Sequence, residues 1–351
     1  MTYVRYRFRT GKAPCALPTG RRQSCCDVFI TETALMTLWL GLIELLQVRQ
    51  SDFYIVMPLW GLELEQALEL TEDVRLLPVT EFTQSNNLSH FLRSSPGILP
   101  IYRWQAPTTV LLKRQTFRSI FVKAGEVTEM DWKVLEQLHD IRNCLALAGP
   151  VAVAGDIQWI EFINPDLSDF NSGTWSRAQE IQAHNLDFGS FDPELAKALV
   201  PRFVSLTGED KSKIYLASDR FARALWRHEA GEAALELGIT LDSLLGDGAG
   251  ELVFKVGLRA ALLIGGNLSN RQRRREIVKS AYDLRSKVVH TGKADKILKF
   301  KGQSIPTKNF VELAIGVTAE VVRKIIILGK IPSWNEVELS GRVQIEENAL
   351  N

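Results

Sequence analysis

From Asp192 onward, apolar residues recur every three or four positions in six successive segments, each closed by glycine or a polar turn. That period belongs to an α-helix with one face in a core. Short gaps make each helix antiparallel to the next, so the sequence predicts a helical bundle. The first helix opens at Asp192-Pro193-Glu194, with aspartate as the cap and proline at the first turn, where no N–H is needed. Five more are expected over 211–227, 229–245, 250–264, 269–290 and 307–328. The breaks carry Gly246-Asp247-Gly248, Gly265-Gly266-Asn267 and Gly292, residues suited to helix ends. Leu216, Phe221, Leu225, Leu235, Ile239 and Leu244 supply apolar faces, as do Val256, Ala260, Leu263, Leu313, Val317 and Val321.

Before residue 190 the pattern changes. Stretches rich in β-branched and aromatic residues predict strands over 52–59, 74–82, 108–123 and 156–163. In the last of these, Ile157, Trp159 and Ile163 alternate with Ile160 and Phe162, so both faces are expected to be covered. One helix is expected among them, over 129–148, with Thr128 as cap and Gly149-Pro150 as stop; His139 and Asp140 are placed on its exposed side. The fold class is therefore α+β: an N-terminal domain of helix and strands over 28–190, then an all-α bundle over 191–335. The first 27 residues set Arg5, Arg7, Arg9, Lys12, Arg21 and Arg22 against Asp27, which reads as a disordered basic arm, a phosphate-contacting tail, or a segment preceding a true start at Met36. Residues 336–351 are expected to form a tail.

Several function classes lack any sequence support. Lys and Arg total 42 against 41 acids, so bulk charge favours neither a nucleic acid nor a cationic partner. Cys15, Cys25, Cys26 and Cys144 form no CxxC pair and no zinc-ligand set, and read as reduced thiols of a cytoplasmic protein. The apolar run over 34–46 contains Glu44 and falls short of the roughly 20 residues a membrane span needs. No HExxH, Walker, dinucleotide or GxSxG motif occurs, and neither metal nor cofactor is expected. Residues 246–250 are glycine-rich before a helix, which suits either a phosphate cradle or a flexible turn. Trp104, Trp159, Trp175 and Trp334 read as core or domain-contact residues.

The helix expected over 269–290 is the most informative. At 100° per residue, Ile277, Ala281, Leu284 and Val288 form a core stripe. Tyr282, Arg285 and Val289 lie to one side as a partly apolar stripe suited to a second protein surface, a dimer contact through Tyr282 and Val289. His290 ends the helix. An imidazole there can give or take a proton, and an arginine beside it can hold a phosphate.

The segments Asp219-Arg220-Phe221, Leu241-Asp242-Ser243-Leu244-Leu245-Gly246, the run from Glu251 to Leu263 that includes Arg259-Ala260-Ala261, and Tyr282-Asp283-Leu284-Arg285-Ser286-Lys287-Val288-Val289-His290 together resemble the HEPN superfamily, and most closely its Apea-like branch. The resemblance covers about residues 205–330. It implies a dimerising bundle of four or five helices in which the Arg and His of an Arg-x4-His signature meet their counterparts in a composite, metal-independent ribonuclease site. Arg285 would then stabilise the phosphorane-like transition state. His290 would move protons between the ribose 2′-hydroxyl and the leaving 5′-oxygen, leaving a 2′,3′-cyclic phosphate. Ser286 stands where active members often carry Asn, Asp or His, and Thr291 where many carry Gly.

The resemblance thus implies a cytoplasmic homodimer, or higher homo-oligomer, that cleaves RNA in prokaryotic defence or stress, with an N-terminal domain that takes a regulatory protein or ligand. A non-catalytic RNA-binding or dimerisation module is the alternative. The run Arg271, Arg273, Arg274 and Arg275 opposes the dipole at its helix start, so RNA backbone attraction is one reading of it and a solvated face another. Lys279 and Lys287 extend the same candidate RNA face.

Overall fold

In the computed structural model the described residues are 3–4, 30–48, 50–82, 88–89, 106–118, 133–170, 175–176, 191–246 and 252–343. Most of the expected arm, Cys15, Cys25, Cys26, Trp104, Thr128 and the turn over 247–251 lie outside them. The chain is α+β: six strands share one sheet, and helices dominate from residue 193. Its contacts group it into two compact units, Met1–Asp52 with Thr116–Glu129 and Phe162–Phe170, and the remainder. The boundary expected near 190 falls inside the second unit.

In the first unit, β1 (Tyr3–Val4) pairs antiparallel with β2 (Ile30–Thr31), and α1 (Glu32–Gln47) follows directly. This helix was not expected. Its apolar residues run almost without interruption, so no face is marked by a period, and Met36, Leu38, Trp39 and Leu40 are exposed.

The second unit holds most of the sheet. Its strands are β3 (Gln50–Leu59), β4 (Leu68–Glu69), β5 (Val74–Pro78), β6 (Thr109–Arg118), β7 (Ile157–Phe162) and β8 (Trp175–Ser176), in the order β4-β5-β6-β3-β7-β8. β5 meets β6 antiparallel, with Leu76 opposite Leu111. The central position of β3 explains its nearly unbroken apolar run, since both faces must be covered. Val56, Val110, Leu112, Ile157 and Trp159 form one core cluster, with Trp159 fully buried as expected. Each such side chain contributes about 1.5–3 kcal/mol relative to exposure.

Helix α2 (Lys133–Leu145) links sheet to bundle. Gln158 on β7 donates to the Leu135 carbonyl at 3.1 Å. His139 was expected on the exposed side of α2 but is buried, its Nε2 2.8 Å from Gln158 Nε2 and its Nδ1 3.3 Å from Arg142 Nη1. Arg142, also buried, bonds the Gly155 carbonyl and lies 4.9 Å from the Trp226 ring. The reason is packing on two sides. α2 presents one flank to β7 and another to the bundle, so polar residues between its apolar rows are enclosed beside one another.

The bundle comprises α3 (Pro193–Val204), α4 (Asp210–Trp226), α5 (Ala230–Leu245), α6 (Leu252–Ile264), α7 (Leu268–Thr291) and α8 (Thr307–Leu328). The Asp192 carboxylate accepts from the Leu195 N–H at 3.0 Å, which is the expected cap. Phe221, Leu244, Val256 and Val321 are buried, but Leu216 and Leu313 are exposed, so the apolar faces are narrower than the sequence suggested. Between α7 and α8 an unexpected antiparallel hairpin intervenes, β9 (Ile297–Phe300) with β10 (Gln303–Pro306). A last helix, α9 (Trp334–Ser340), occupies the start of the expected tail. It is secured by buried Arg259, whose guanidinium bonds Glu338 and the Leu245 carbonyl, both at 2.6 Å, while Trp334 donates to the Leu244 carbonyl at 3.1 Å. The last carbonyls of α5, which have no partners within their own helix, are thereby satisfied.

Candidate functional site

Helix α7 starts with Asn267 accepting from the Asn270 N–H at 2.9 Å and ends at Gly292, which is left-handed at φ 70°. That conformation suits glycine and lets its N–H bond the Val288 carbonyl at 2.8 Å. Ile277, Val278, Ala281, Tyr282 and Leu284 are buried. Three of these belong to the expected core stripe; Val288, the fourth residue of that stripe, is only partly buried.

Tyr282 is the main departure. It is 2 % exposed, and its hydroxyl bonds Asp242 and approaches the Gly238 carbonyl at 3.4 Å. A tyrosine held this way completes its own bundle and does not offer the dimer surface expected of it. Val289, at 59 % exposed, remains available for such a contact.

Arg285 lies one turn further along, against the same stretch of α5. Its Nη2 is 3.5 Å from Asp242 Oδ2, and its guanidinium carbon is 5.7 Å from the centre of the Tyr282 ring. Gly238 makes the approach possible: a β-carbon there would stand 2.8 Å from Arg285 Cδ and 3.1 Å from Cγ. Gly238 and Asp242, four residues apart on α5, thus form a cradle for one arginine. The side chain of Arg285 is 32 % exposed, and its Nε has no hydrogen-bond partner. Burial pushes the Asp242 carboxyl above its ordinary value, and the charge of Arg285 opposes that rise.

His290 and Ser286 are exposed. His290 stands five positions beyond Arg285, about 7.5 Å along an ideal helix. Lys287 pairs with Asp295, and the Thr291 hydroxyl donates to the Lys287 carbonyl at 2.7 Å.

The basic run at the start of α7 divides by role. Arg274 pairs with Glu320 at 2.9 Å and donates to the Gly265 carbonyl at 3.0 Å. Arg271 donates to the Gly266 carbonyl at 2.9 Å and the Gly341 carbonyl at 3.3 Å. Both therefore neutralise chain ends behind α6 and α9, where the helix dipoles are negative. That is a structural use the sequence did not reveal. Arg275 rests 4.7 Å from the Phe254 ring. Arg273 is exposed, and so is Lys279. Arg273 shares a groove of about 320 Å³ with Glu312 and Glu320, so this part of α7 is close to charge-balanced.

Among the described residues no three His, Cys, Asp or Glu side chains gather as a metal site, and no helix is long and apolar enough to cross a membrane. Cys144 is buried, which pushes its thiol far up from its ordinary value and leaves it a poor nucleophile. Compared with known protein families, with curated proteins and with solved structures, the chain matched none.

Proposed function

We propose that the chain is a metal-independent endoribonuclease of HEPN type, acting as a homodimer, in a setting of prokaryotic defence or stress. The observation that carries this reading is the pairing of a cradled arginine and an exposed histidine on the last two turns of one helix. Asp242 and Gly238 restrict Arg285 while leaving part of it open to a phosphate. His290 takes the proton from the ribose 2′-hydroxyl, whose oxygen attacks phosphorus. The 5′-oxygen leaves with a proton returned by an imidazole, from the same copy or the partner copy, and a 2′,3′-cyclic phosphate remains. Arg285 stabilises the extra negative charge on the phosphorane. Ser286, exposed beside Arg285, orients a phosphate oxygen.

The test is cleavage of labelled RNA in EDTA by the purified chain, His290→Ala and Arg285→Ala. Loss in both variants, with oligomeric state kept and a cyclic phosphate product in the wild type, supports the site. Cleavage persisting in both, or absent from the wild type on varied RNAs, overturns it.

One observation favours a second reading. Arg285 already has a carboxylate partner in Asp242. A structural ion pair there, with RNA binding or dimerisation but no turnover, corresponds to the non-catalytic module.

A further inference from the structure

From the last two turns of α7 onward, the chain becomes locally one-signed. Residues 285–308 hold Arg285, Lys287, Lys293, Lys296, Lys299, Lys301 and Lys308 against the single acid Asp295, in a chain balanced at 42 to 41. Asp295 is taken up by Lys287. Lys293, Lys296, Lys299 and Lys301 are exposed and have no ion pair among the described residues. All four lie at the base, on the strand or at the turn of the β9–β10 hairpin.

The hairpin is firmly rooted. The Thr307 N–H bonds the Lys296 carbonyl at 2.9 Å, its hydroxyl bonds the Asp295 carbonyl at 2.5 Å, and the Phe300 ring lies 5.4 Å from that of Phe310 on α8. Register sets its two faces. Leu298 opposite Ile305 is the partly buried side, whereas Lys299 opposite Ser304 and Ile297 opposite Pro306 face outward. The turn places Lys301 at φ 49° before Gly302 at φ 79°, a position that favours asparagine, aspartate or glycine. Lys301 is the one non-glycine residue with positive φ among those described. A lysine is thus held at the tip despite the local strain, which suits a residue kept for its charge.

We propose that the β9–β10 hairpin is a docking finger for the phosphate backbone of an RNA strand, delivering it to the Arg285–His290 tip; this assignment of substrate path rests on the nuclease reading above. Lysines on flexible stems recognise phosphates as point charges, and four of them along one hairpin match the regularly spaced charges of a nucleic-acid backbone. No aromatic ring lies on the outward face of the two strands, so the finger reads charge and not base identity.

The test uses fluorescent 30-nucleotide RNA and the full chain carrying His290→Ala, so that binding is measured without cleavage. The combined variant K293Q/K296Q/K299Q/K301Q is compared with its parent across salt concentrations. The expected result is at least a tenfold loss of affinity near 0.1 M salt. The slope of log affinity on log salt should flatten by up to about 3, since each single-strand phosphate contact carries roughly 0.7. The matching K→R variant should restore both, and melting temperatures should agree among the three. Unchanged affinity and slope overturn the finger, as does a parent with no RNA affinity. Self-association of the Gln variant with RNA binding intact would also overturn it, because the lysines would then serve only to guard open strand edges. The two readings fail separately. Cleavage that depends on Arg285 and His290 but ignores the finger sinks the finger alone. Salt-dependent binding through the finger, with no cleavage by the wild type, sinks the nuclease alone.

Discussion

The aliphatic stem of Arg285 lies on the bare backbone of Gly238, so closely that a β-carbon on Gly238 would stand 2.8 Å from Cδ. Gly238→Ala pits two effects against each other. Alanine gains about 1 kcal/mol of helix propensity over glycine within α5, while the arginine must swing away from Asp242. Because Arg285 is flexible and part-exposed, stability should change by no more than about 1 kcal/mol. RNA cleavage should nevertheless fall at least tenfold, since the guanidinium is displaced. Urea unfolding and a cleavage assay on the same variant check the pair of outcomes. A stability loss without a cleavage loss would mean that Arg285 does not act on substrate.

Asp242 should make stability depend on pH with an unusual sign for a carboxylate. Its folded pKa is raised, chiefly by burial and against the pull of Arg285. The contribution of this group is therefore fully present below its unfolded pKa and is lost as pH rises through the folded value. Asp242→Asn removes the charge and keeps an acceptor for Tyr282. Relative to wild type, the variant should be more stable at pH 7 than at pH 4. Denaturant melts at the two pH values decide this; a gap that widens toward acid would reverse the sign and refute the argument.

Removing the guanidinium of Arg259 should destabilise the chain by about 3 kcal/mol. The arginine is almost fully buried, and its loss leaves Glu338 and the Leu245 carbonyl without it. Arg259→Met, which retains the bulk of the stem, isolates that polar loss. The measurement is a shift of the urea midpoint, and a change under about 0.5 kcal/mol would show that α9 does not depend on this contact.

Neighbouring arginines on α7 should separate by phenotype. Arg274→Ala removes the pair with Glu320 and the bond to the Gly265 carbonyl, and should cost about 1–2 kcal/mol of stability. Arg273→Ala, at an exposed position, should stay within about 0.5 kcal/mol of wild type. Thermal melts of the two variants side by side test this, and equal losses would contradict the division of roles.

Helices were the most legible part of the fold because their signal is local. The segment expected over 307–328 is α8, and the cap at Asp192 sits where Asp-Pro-Glu places it. Such features follow from period and capping chemistry within a few residues. The β9–β10 hairpin went unseen although Lys301-Gly302 is a short turn between alternating residues, because each strand has only four residues and a lysine occupies the turn. Helix α1 went unseen because nearly continuous apolarity carries no period.

The sequence by itself determined the α+β class, the helical C-terminal half, and the placement of Arg285 and His290 near one helix end, all of which depend on contacts or spacings within a turn or two. Tertiary structure alone decided that Tyr282 turns inward, that His139 is enclosed, that Arg271 and Arg274 serve helix ends, and that Arg285 rests on Gly238 and Asp242. Asp242 stands forty positions before Tyr282. Which residue of α5 lies beneath α7 depends on how two helices slide and rotate as their faces interlock. Each helix reads its own apolar stripe from its own residues, but that offset is a property of the pair.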